Sequence, residues 1–521
     1  MEALEISGEH LEIDDVVSVA IGRQKVQLAE SALPRIKQSR EAVDRLVREK
    51  RIAYGITTGF GHFKDKIIPP DQVRELQVNL VRSHAVGVGP VLSEEVVRSM
   101  LLVRANTLAK GYSGVRLEVI QLLIDMLNHN IHPKVRSQGS LGASGDLAPL
   151  AHLAMALIGE GEVFLDGQEL PAHRALAQKG LRPIALEAKE GLALLNGTTL
   201  MVGLGSLLVR RGINLALSAD IAASLSLEAL HGTDRAYDAR VHALRPHPRQ
   251  MECASFLRKV IGGSQFLRGK DSLNVQDPYT LRCVPQVHGA VRDAIAYAQW
   301  VLNIELNAVN DNPIILTEPD SDEFDVISAG NFHGEPIAFA ADYMKMAVTD
   351  LGNMSERRVA RLVDADCNQG VLPMFLTERG GLESGYMIAQ YTAASLASEN
   401  KVLAHPASAD SITSSANTED HVSMGTIAVR HLEKVLEHTE TIVAIEMMSA
   451  VQGIDFRKKT MGLDDTAMGR GTSIAYRCIR EKVPFLEKDQ YMSPLVDEVL
   501  ELVRSGTIKR LVEEDFESNS E

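Results

Sequence analysis

Aromatic residues are scarce in this chain, and so are cysteines. Of its 521 residues, 4% are aromatic and one is tryptophan, whereas alanine and leucine are plentiful. This composition favours helices over sheets, because strands are enriched in aromatic and β-branched side chains. The four cysteines are far apart in the sequence and form no Cys-x-x-Cys pair: Cys253, Cys283, Cys367 and Cys478. In a chain long enough for two or more domains, isolated cysteines predict reduced thiols and a cytoplasmic setting.

Several other classes of protein are disfavoured by what is missing. No apolar run reaches the roughly 18 residues of a membrane span, and the longest, 147–158 and 198–209, are predicted to be buried helices. The acidic first 15 residues have no basic segment before an apolar one, unlike a secretory signal. A net charge of −15 argues against nucleic acid as a partner. The 16 histidines are scattered and His-Glu-x-x-His is absent, so no metal site is predicted.

The most distinctive stretch is rich in small residues and reads Gly-Ser-Leu-Gly-Ala-Ser-Gly-Asp-Leu-Ala-Pro-Leu over 139–150. Its glycine spacing does not fit the dinucleotide-binding fingerprint, and no lysine follows as in a phosphate-binding loop. A nucleophile elbow is excluded as well, because Asp146 stands where that motif requires glycine. On spacing alone, the stretch reads as a Gly/Ser loop before a helix, with Asp146 helping to cap that helix.

The full string resembles the signature of the aromatic amino acid ammonia-lyases and aminomutases. In that family Ala-Ser-Gly cyclises into 4-methylideneimidazol-5-one (MIO): the glycine nitrogen attacks the alanine carbonyl, two waters are lost, and the serine side chain becomes a methylidene. The resemblance implies that Ala143, Ser144 and Gly145 form this electrophile, with no external cofactor. The residue types suit the chemistry, since Gly145 has no Cβ to obstruct ring closure and Ser144 has a hydroxyl to lose.

Hydrophobic periodicity predicts long helices joined by loops. Helical patterns cover 29–51, 71–86, 191–230, 336–364, 384–403 and 427–452, and another helix begins after Ser93. A short hairpin is expected at 160–170, where Asp-Gly follows apolar residues. The pattern predicts a mainly α protein whose N-terminal domain, 1–200, precedes a helical bundle, 201–521. The resemblance places this bundle in the fumarase/aspartase-like superfamily, with the MIO and a mobile tyrosine loop in the first domain.

Further segments match the same family in the same order. Tyr54, in a Gly- and Thr-rich loop at 54–61, corresponds to a general base, whose phenol pKa of about 10 has to be lowered by its site. Asn196 corresponds to an asparagine beside the substrate amine and the MIO carbonyl, and Phe332 to a residue lining the pocket. Gln276 and Tyr279 correspond to hydrogen-bonding partners in the active site. Arg282 can bind a carboxylate through two hydrogen bonds, as an amino acid substrate requires.

Two positions bear on the choice of substrate. Ser83-His84 resembles the pair found in histidine-specific members, and Glu419 is similar to a glutamate that these members carry. Phenylalanine- and tyrosine-specific members have other residues at both places. The chemistry agrees, because an imidazole offers two ring nitrogens for polar partners, whereas burying a carboxylate beside a benzene ring is costly.

The resemblance therefore implies a histidine ammonia-lyase, which releases ammonia from L-histidine and gives trans-urocanate. It also implies a homotetramer whose active sites draw on three subunits. Two alternatives stay open from the sequence. One is a tyrosine or phenylalanine ammonia-lyase, or an aromatic 2,3-aminomutase, of the same family. The other is a helical scaffold that never forms the prosthetic group.

Overall fold

The computed structural model describes residues 2–269, 275–318 and 323–518, and it confirms the mainly α fold. The chain divides into two compact units, each built from three segments. The first unit contains 1–210, 298–342 and 406–430, and the second contains 211–297, 343–405 and 431–521. The division into consecutive domains at residue 200 stays a prediction.

Helices wholly within the first unit are mostly short. They are α1 (Ile13–Ala20), α2 (Leu33–Arg48), α3 (Val73–His84), α4 (Glu94–Ala109), α5 (Leu117–Asn128), α6 (Leu147–Leu157), α7 (Ala172–Gln178) and α8 (Glu190–Leu195). Helix α4 lies in the core of this unit, because its residues from Val96 to Ala109 are all buried. Its start confirms the prediction, with Ser93 as N-cap accepting a hydrogen bond from Val96 N at 3.4 Å.

The longest helices have residues in both units. They are α9 (Thr199–Ala229), α13 (Val284–Glu305), α14 (Glu335–Val363) and α16 (Gly425–Met461). Helices wholly within the second unit are α10 (Ala239–Ala243), α11 (Pro248–Val260), α12 (Tyr279–Arg282), α15 (Met387–Leu403), α17 (Arg470–Arg480), α18 (Ser493–Arg504) and α19 (Thr507–Ser518). The helices predicted at 336–364, 384–403 and 427–452 are thus confirmed as α14, α15 and α16.

Small sheets complete the first unit. A parallel pair joins β1 (Leu4–Ile6) to β2 (Val26–Leu28), and antiparallel pairs join β3 (Val88–Val91) to β5 (Arg136–Gln138) and β8 (Ile314–Thr317) to β9 (Phe324–Ile327). An antiparallel sheet has the order β4 (Ile131–Pro133), β6 (Glu162–Leu165) and β7 (Gln168–Pro171). The hairpin between β6 and β7 confirms the prediction, and its Asp166 and Gly167 both have positive φ, as a type I′ turn requires.

Helix α9 is more apolar than the lengths of the uninterrupted apolar runs in the sequence indicated. By length and composition it could cross a membrane, although 72% of its apolar window is buried inside the structure. Glycines and serines interrupt the apolar residues, so counting uninterrupted runs underestimates the hydropathy of this helix. The burial of α9 is typical of a core helix, and a buried helix was predicted for 198–209.

The helical region expected over 191–230 is broken into α8 and α9. Between them lies the short connection Asn196-Gly197-Thr198, where Gly197 has a φ of +131°. This backbone conformation is closed to most residues, so the glycine ends one helix and allows the next to begin. The connection faces the stretch that the sequence singles out.

Candidate active site

The Ala-Ser-Gly turn (residues 143–145) lies between strand β5 and helix α6, pressed against the α8–α9 connection. Gly145 has a φ of +75° and forms an isolated bridge with Gly197. A Cβ on Gly145 would lie 2.1 Å from the carbonyl oxygen of Gly197. The two backbones therefore touch at a distance that excludes any side chain at position 145.

Hydrogen bonds fix this contact on both sides of the turn. The carbonyl oxygen of Ser144 accepts from Asn196 Nδ2 at 3.1 Å and from Gly197 N at 3.2 Å. The amide of Asp146 donates to the carbonyl oxygen of Gly197 at 2.8 Å. Asn196 was expected beside the turn, but Gly197 was missed. Its signal in the sequence is a glycine between two apolar helical patterns.

A later part of the chain, 423–426, packs against the same turn. Met424 N donates to Leu141 O at 2.9 Å, and Ser423 Oγ donates to Gly142 O at 3.2 Å. Thr426 Oγ1 donates to Asp146 Oδ1 at 2.6 Å. The other oxygen of Asp146 accepts from Met201 N at 3.0 Å, in the first turn of α9. Asp146 thus caps α9 and makes no side-chain cap on α6, which corrects the expectation from spacing.

The hydroxyl of Ser144 donates to Glu419. The distance from Ser144 Oγ to Glu419 Oε1 is 3.1 Å, and Ser414 Oγ donates to the other carboxylate oxygen at 3.0 Å. Between Ser414 and Glu419, the residues Ser415, Ala416 and Asn417 have left-handed φ values from 50° to 68° and turn the chain back on itself. Ser414 was not predicted, and it holds the carboxylate in place beside the turn.

These groups face a cavity of about 790 Å³ lined by residues of the first unit. It brings together most of the predicted site residues: Tyr54, Ser83, His84, Ser144, Asn196, Phe332 and Glu419. The amide oxygen of Asn196 is buried and has no hydrogen-bond partner among the described residues. An unpaired buried acceptor is costly unless a ligand satisfies it.

His84, the last residue of α3, has one ring nitrogen that donates a hydrogen bond and one that is left as an acceptor. Its Nδ1 lies 2.9 Å from the carbonyl oxygen of Leu80. A carbonyl can only accept, so Nδ1 carries the proton and Nε2 is left with its lone pair. Burial lowers the pKa of His84, although Leu80 and Glu419 oppose this, so the ring favours the neutral state. The hydroxyl of Ser83 donates to Leu80 O at 3.1 Å and lies 3.0 Å from the same Nδ1.

Tyr54 lies in the loop at 54–61, with its ring edge-on to Phe60 and its hydroxyl accepting from Gly61 N at 3.2 Å. Burial raises the pKa of Tyr54, the Gly61 amide lowers it, and Glu419 raises it further. The net direction is opposite to the lowering that a base role requires. For Tyr54 to act as a base, positive charge has to outweigh both burial and Glu419.

Gln276, Tyr279 and Arg282 belong to the second unit and are not among the residues lining this cavity. Tyr279 begins helix α12 directly after Pro278 and is 69% exposed. The guanidinium carbon of Arg282 lies 4.4 Å from the centre of the Tyr279 ring. These two residues therefore form a cation–π pair.

Comparison with known proteins identifies the family. The family model described as "Aromatic amino acid lyase" matches residues 11–481. The chain belongs to the aromatic amino acid lyase family. It is 55% identical over 506 residues to a histidine ammonia-lyase of Chloroflexus aurantiacus, covering 96% of each chain.

Solved structures of the family share the fold. A tyrosine aminomutase from Streptomyces globisporus has a TM-score of 0.92 at 36% identity, with 98% of each chain covered. A histidine ammonia-lyase from Trypanosoma cruzi has a TM-score of 0.89 at 39% identity, with 98% of this chain and 95% of that chain covered. A tyrosine aminomutase and a histidine ammonia-lyase therefore share this fold.

Among the described residues of this lyase, two clusters have donors close enough to hold a metal ion. In one, Glu335 Oε2 lies 3.9 Å from His333 Nδ1 and 4.0 Å from His421 Nε2. In the other, which also contains Cys253, Asp220 Oδ1 lies 2.6 Å from His288 Nδ1 and the carboxylate is paired with Arg292. A carboxylate already neutralised by arginine is a weak metal ligand. The expectation of no metal site stays a prediction.

Replacing Gly145 with alanine is expected to disrupt the turn. The added Cβ would meet Gly197 O, so the cost should include overpacking of roughly 1–3 kcal/mol beyond the roughly 1–2 kcal/mol of left-handed strain. Gly180→Ala is the matched control, because Gly180 has a φ of +72° and a Cβ added there would have nothing within 4 Å. Urea unfolding of both variants measures the difference, and equal losses of stability would contradict the close contact.

Proposed function

We propose that this lyase eliminates ammonia from L-histidine to give trans-urocanate. The observation that carries the proposal is the position of Glu419, whose carboxylate bonds Ser144 Oγ in a cavity that also receives His84. A carboxylate and a neutral imidazole together offer the polar partners that a substrate imidazole needs. The relative from Chloroflexus aurantiacus, a histidine ammonia-lyase, supports the same substrate.

Members of the family use MIO, and we propose that residues 143–145 form it here. The residues present fit this group. The Ala-Ser-Gly turn is held by hydrogen bonds to Ser144 O, Gly145 has no Cβ to obstruct closure, and the Ser144 hydroxyl is held by a carboxylate. When formed, the group supplies an electrophile stronger than any ordinary side chain.

The chain's own residues bind and orient the amino acid beside this group. We assign the unpaired Oδ1 of Asn196 to the substrate ammonium, because a buried acceptor is best satisfied by a charged donor. Glu419 and His84 Nε2 hold the imidazole, and Phe332 lines the pocket. We assign the removal of the β-proton to Tyr54, which requires positive charge to lower its pKa. Arg282, with Gln276 and Tyr279, is assigned to the substrate carboxylate.

We propose further that the enzyme is a homotetramer in which another subunit supplies these three residues. Tyr279 is well exposed, as a residue serving another chain should be. Exposed apolar side chains also follow one face of a long helix: Tyr297, Trp300 and Ile304 on α13, and likewise Phe339, Tyr343 and Met346 on α14. Such faces are typical of helices that pack against another copy.

All four cysteines are free, which supports a cytoplasmic location.

The direct test is formation of urocanate from L-histidine, followed by its ultraviolet absorbance. Ser144→Ala should abolish it, because alanine has no hydroxyl to lose. Intact mass should show the wild type lighter by two water molecules and Ser144→Ala without that loss. An active wild type of unreduced mass would refute the MIO assignment.

Glu419→Gln tests the substrate assignment, since it keeps the size of the side chain and removes the charge. Loss of a charge-assisted hydrogen bond worth about 1.5–3 kcal/mol should lower kcat/KM for histidine by about tenfold to over a hundredfold. His84→Leu should mainly raise KM for histidine. Turnover of phenylalanine, which has no ring nitrogen, should be unchanged or improved in both variants. Preference of the wild type for tyrosine or phenylalanine would contradict the assignment.

Co-expression of two inactive variants tests the shared site. Ser144→Ala and Arg282→Met should each be inactive alone. If Arg282 serves a neighbour, randomly mixed assemblies should contain about one fully intact site in four and regain activity. A mixture as inactive as its parents would mean that Ser144 and Arg282 act within one chain.

A further inference from the structure

We propose that Arg104 is a positioning residue that promotes cyclisation of the Ala-Ser-Gly turn; this rests on the proposed MIO. Arg104 lies on helix α4 in the core of the first unit and is fully buried. Its role would be to hold and polarise the Asn196–Gly197 peptide, which in turn holds Ser144. Neither the family signature nor the lining of the cavity includes it.

The guanidinium directs its hydrogen bonds to the α8–α9 connection. One terminal nitrogen donates to Ala193 O at 3.1 Å and to Asn196 O at 3.0 Å, and the other donates to Thr199 Oγ1. The connection cannot move away from the guanidinium without breaking these bonds. The approach is close enough that only glycine fits at position 197, since a Cβ there would lie 2.7 Å from Nη2 of Arg104.

The bonds form a continuous chain from the cation to the turn. Arg104 donates to the carbonyl oxygen of Asn196, and the amide of that same peptide unit is Gly197 N–H. Gly197 N–H in turn donates to Ser144 O. Linked hydrogen bonds polarise one another, so a cation at one end strengthens the donor at the other. The buried charge is thereby directed at the carbonyl oxygen of Ser144.

Activation of the attacking nitrogen places negative charge on that oxygen. Gly145 N belongs to the peptide unit of Ser144 C=O, so when this nitrogen releases its proton before it attacks Ala143 C, negative charge is delocalised onto Ser144 O. Gly197 N–H and Asn196 Nδ2 are the two donors that stabilise it, as in an oxyanion hole. Arg104 strengthens the first donor and fixes the backbone that carries the second.

The overall step is balanced. A bond forms between Gly145 N and Ala143 C, and the Ala143 oxygen leaves as water with the protons of Gly145 N and Ser144 N. The Ser144 hydroxyl leaves with the α-proton of Ser144 as the second water. Ser144 O remains as the ring carbonyl, so its donors are retained in the product.

Arg104 could have a purely structural role, and helix α4 offers a matched control. Arg98 is also buried, and it too donates to backbone carbonyls, those of Val19, Ala20 and Leu127. Burial lowers the pKa of each arginine to about 10. Arg98 makes its contacts at α1, at α5 and at Asn130 and His132 just after α5, rather than at the turn. Loss of Arg98 should therefore destabilise the core without affecting cyclisation.

The experiment follows cyclisation by mass. Wild type, Arg104→Gln, Arg104→Lys and Arg98→Gln are made in a short pulse of cell-free synthesis. Samples are quenched over time and digested, and the open and cyclised peptides spanning 139–150 are quantified. Arg104→Gln should cyclise about tenfold more slowly than wild type, the loss expected for a weakened oxyanion donor. Arg104→Lys should be intermediate, because an ammonium keeps the charge but cannot serve all three acceptors.

The controls separate the possible failures. Folded protein is isolated by size exclusion, and unfolding midpoints confirm that Arg98→Gln and Arg104→Gln are comparably destabilised. Cyclisation of folded Arg104→Gln at the wild-type rate, or equal slowing in Arg98→Gln, would overturn the proposal. If Arg104→Gln does not fold, a wild-type rate in Arg104→Lys overturns it. A wild type that never loses two waters refutes the proposed MIO instead.

Discussion

The contact between Gly145 and Gly197 is the constraint on which the rest of the site depends. Two backbones meet where neither could carry a side chain, and each is held by hydrogen bonds from the other. Three groups in the cavity are linked to this contact by neighbouring bonds: Asn196 through the adjacent Gly197, Ser144 through its carbonyl, and Glu419 through the Ser144 hydroxyl. Because the contact lies at the ends of helices α6, α8 and α9, the turn rests on rigid elements.

Four charged residues near the turn form a buried network. Lys189 and Asp311 form a fully buried ion pair at 2.6 Å, and both interact with Arg104, which also interacts with Asp146. Two cations and two anions share this part of the core, so no member is left without opposing charge. The field at the turn is therefore set by buried residues that solvent and salt screen weakly.

Local features could be predicted from the sequence, and contacts between distant segments could not. Hydrophobic periodicity located α14, α15 and α16, and Asp166-Gly167 located a hairpin, because these signals lie within a few residues of one another. The resemblance named seven of the residues that line the cavity. Ser414 and Arg104 were missed, since nothing near them in the sequence indicates what they touch, and Gly197 was missed although it follows Asn196 between two helical patterns. The pKa of Tyr54 was equally out of reach, because it depends on burial and on Glu419.

The pairing of the turn with residues 423–426 has a consequence for biosynthesis. The ribosome makes the chain from its N-terminus, so the turn emerges long before Ser423, Met424 and Thr426 exist to bind it. Until then Asp146 lacks one of its partners and Ser144 lacks the carboxylate of Glu419. In a nascent chain the set of hydrogen bonds around the turn is therefore incomplete. It is completed only after most of the protein has been translated. The proposed electrophile would thus be generated late, in a chain that already contains the residues packed against the turn.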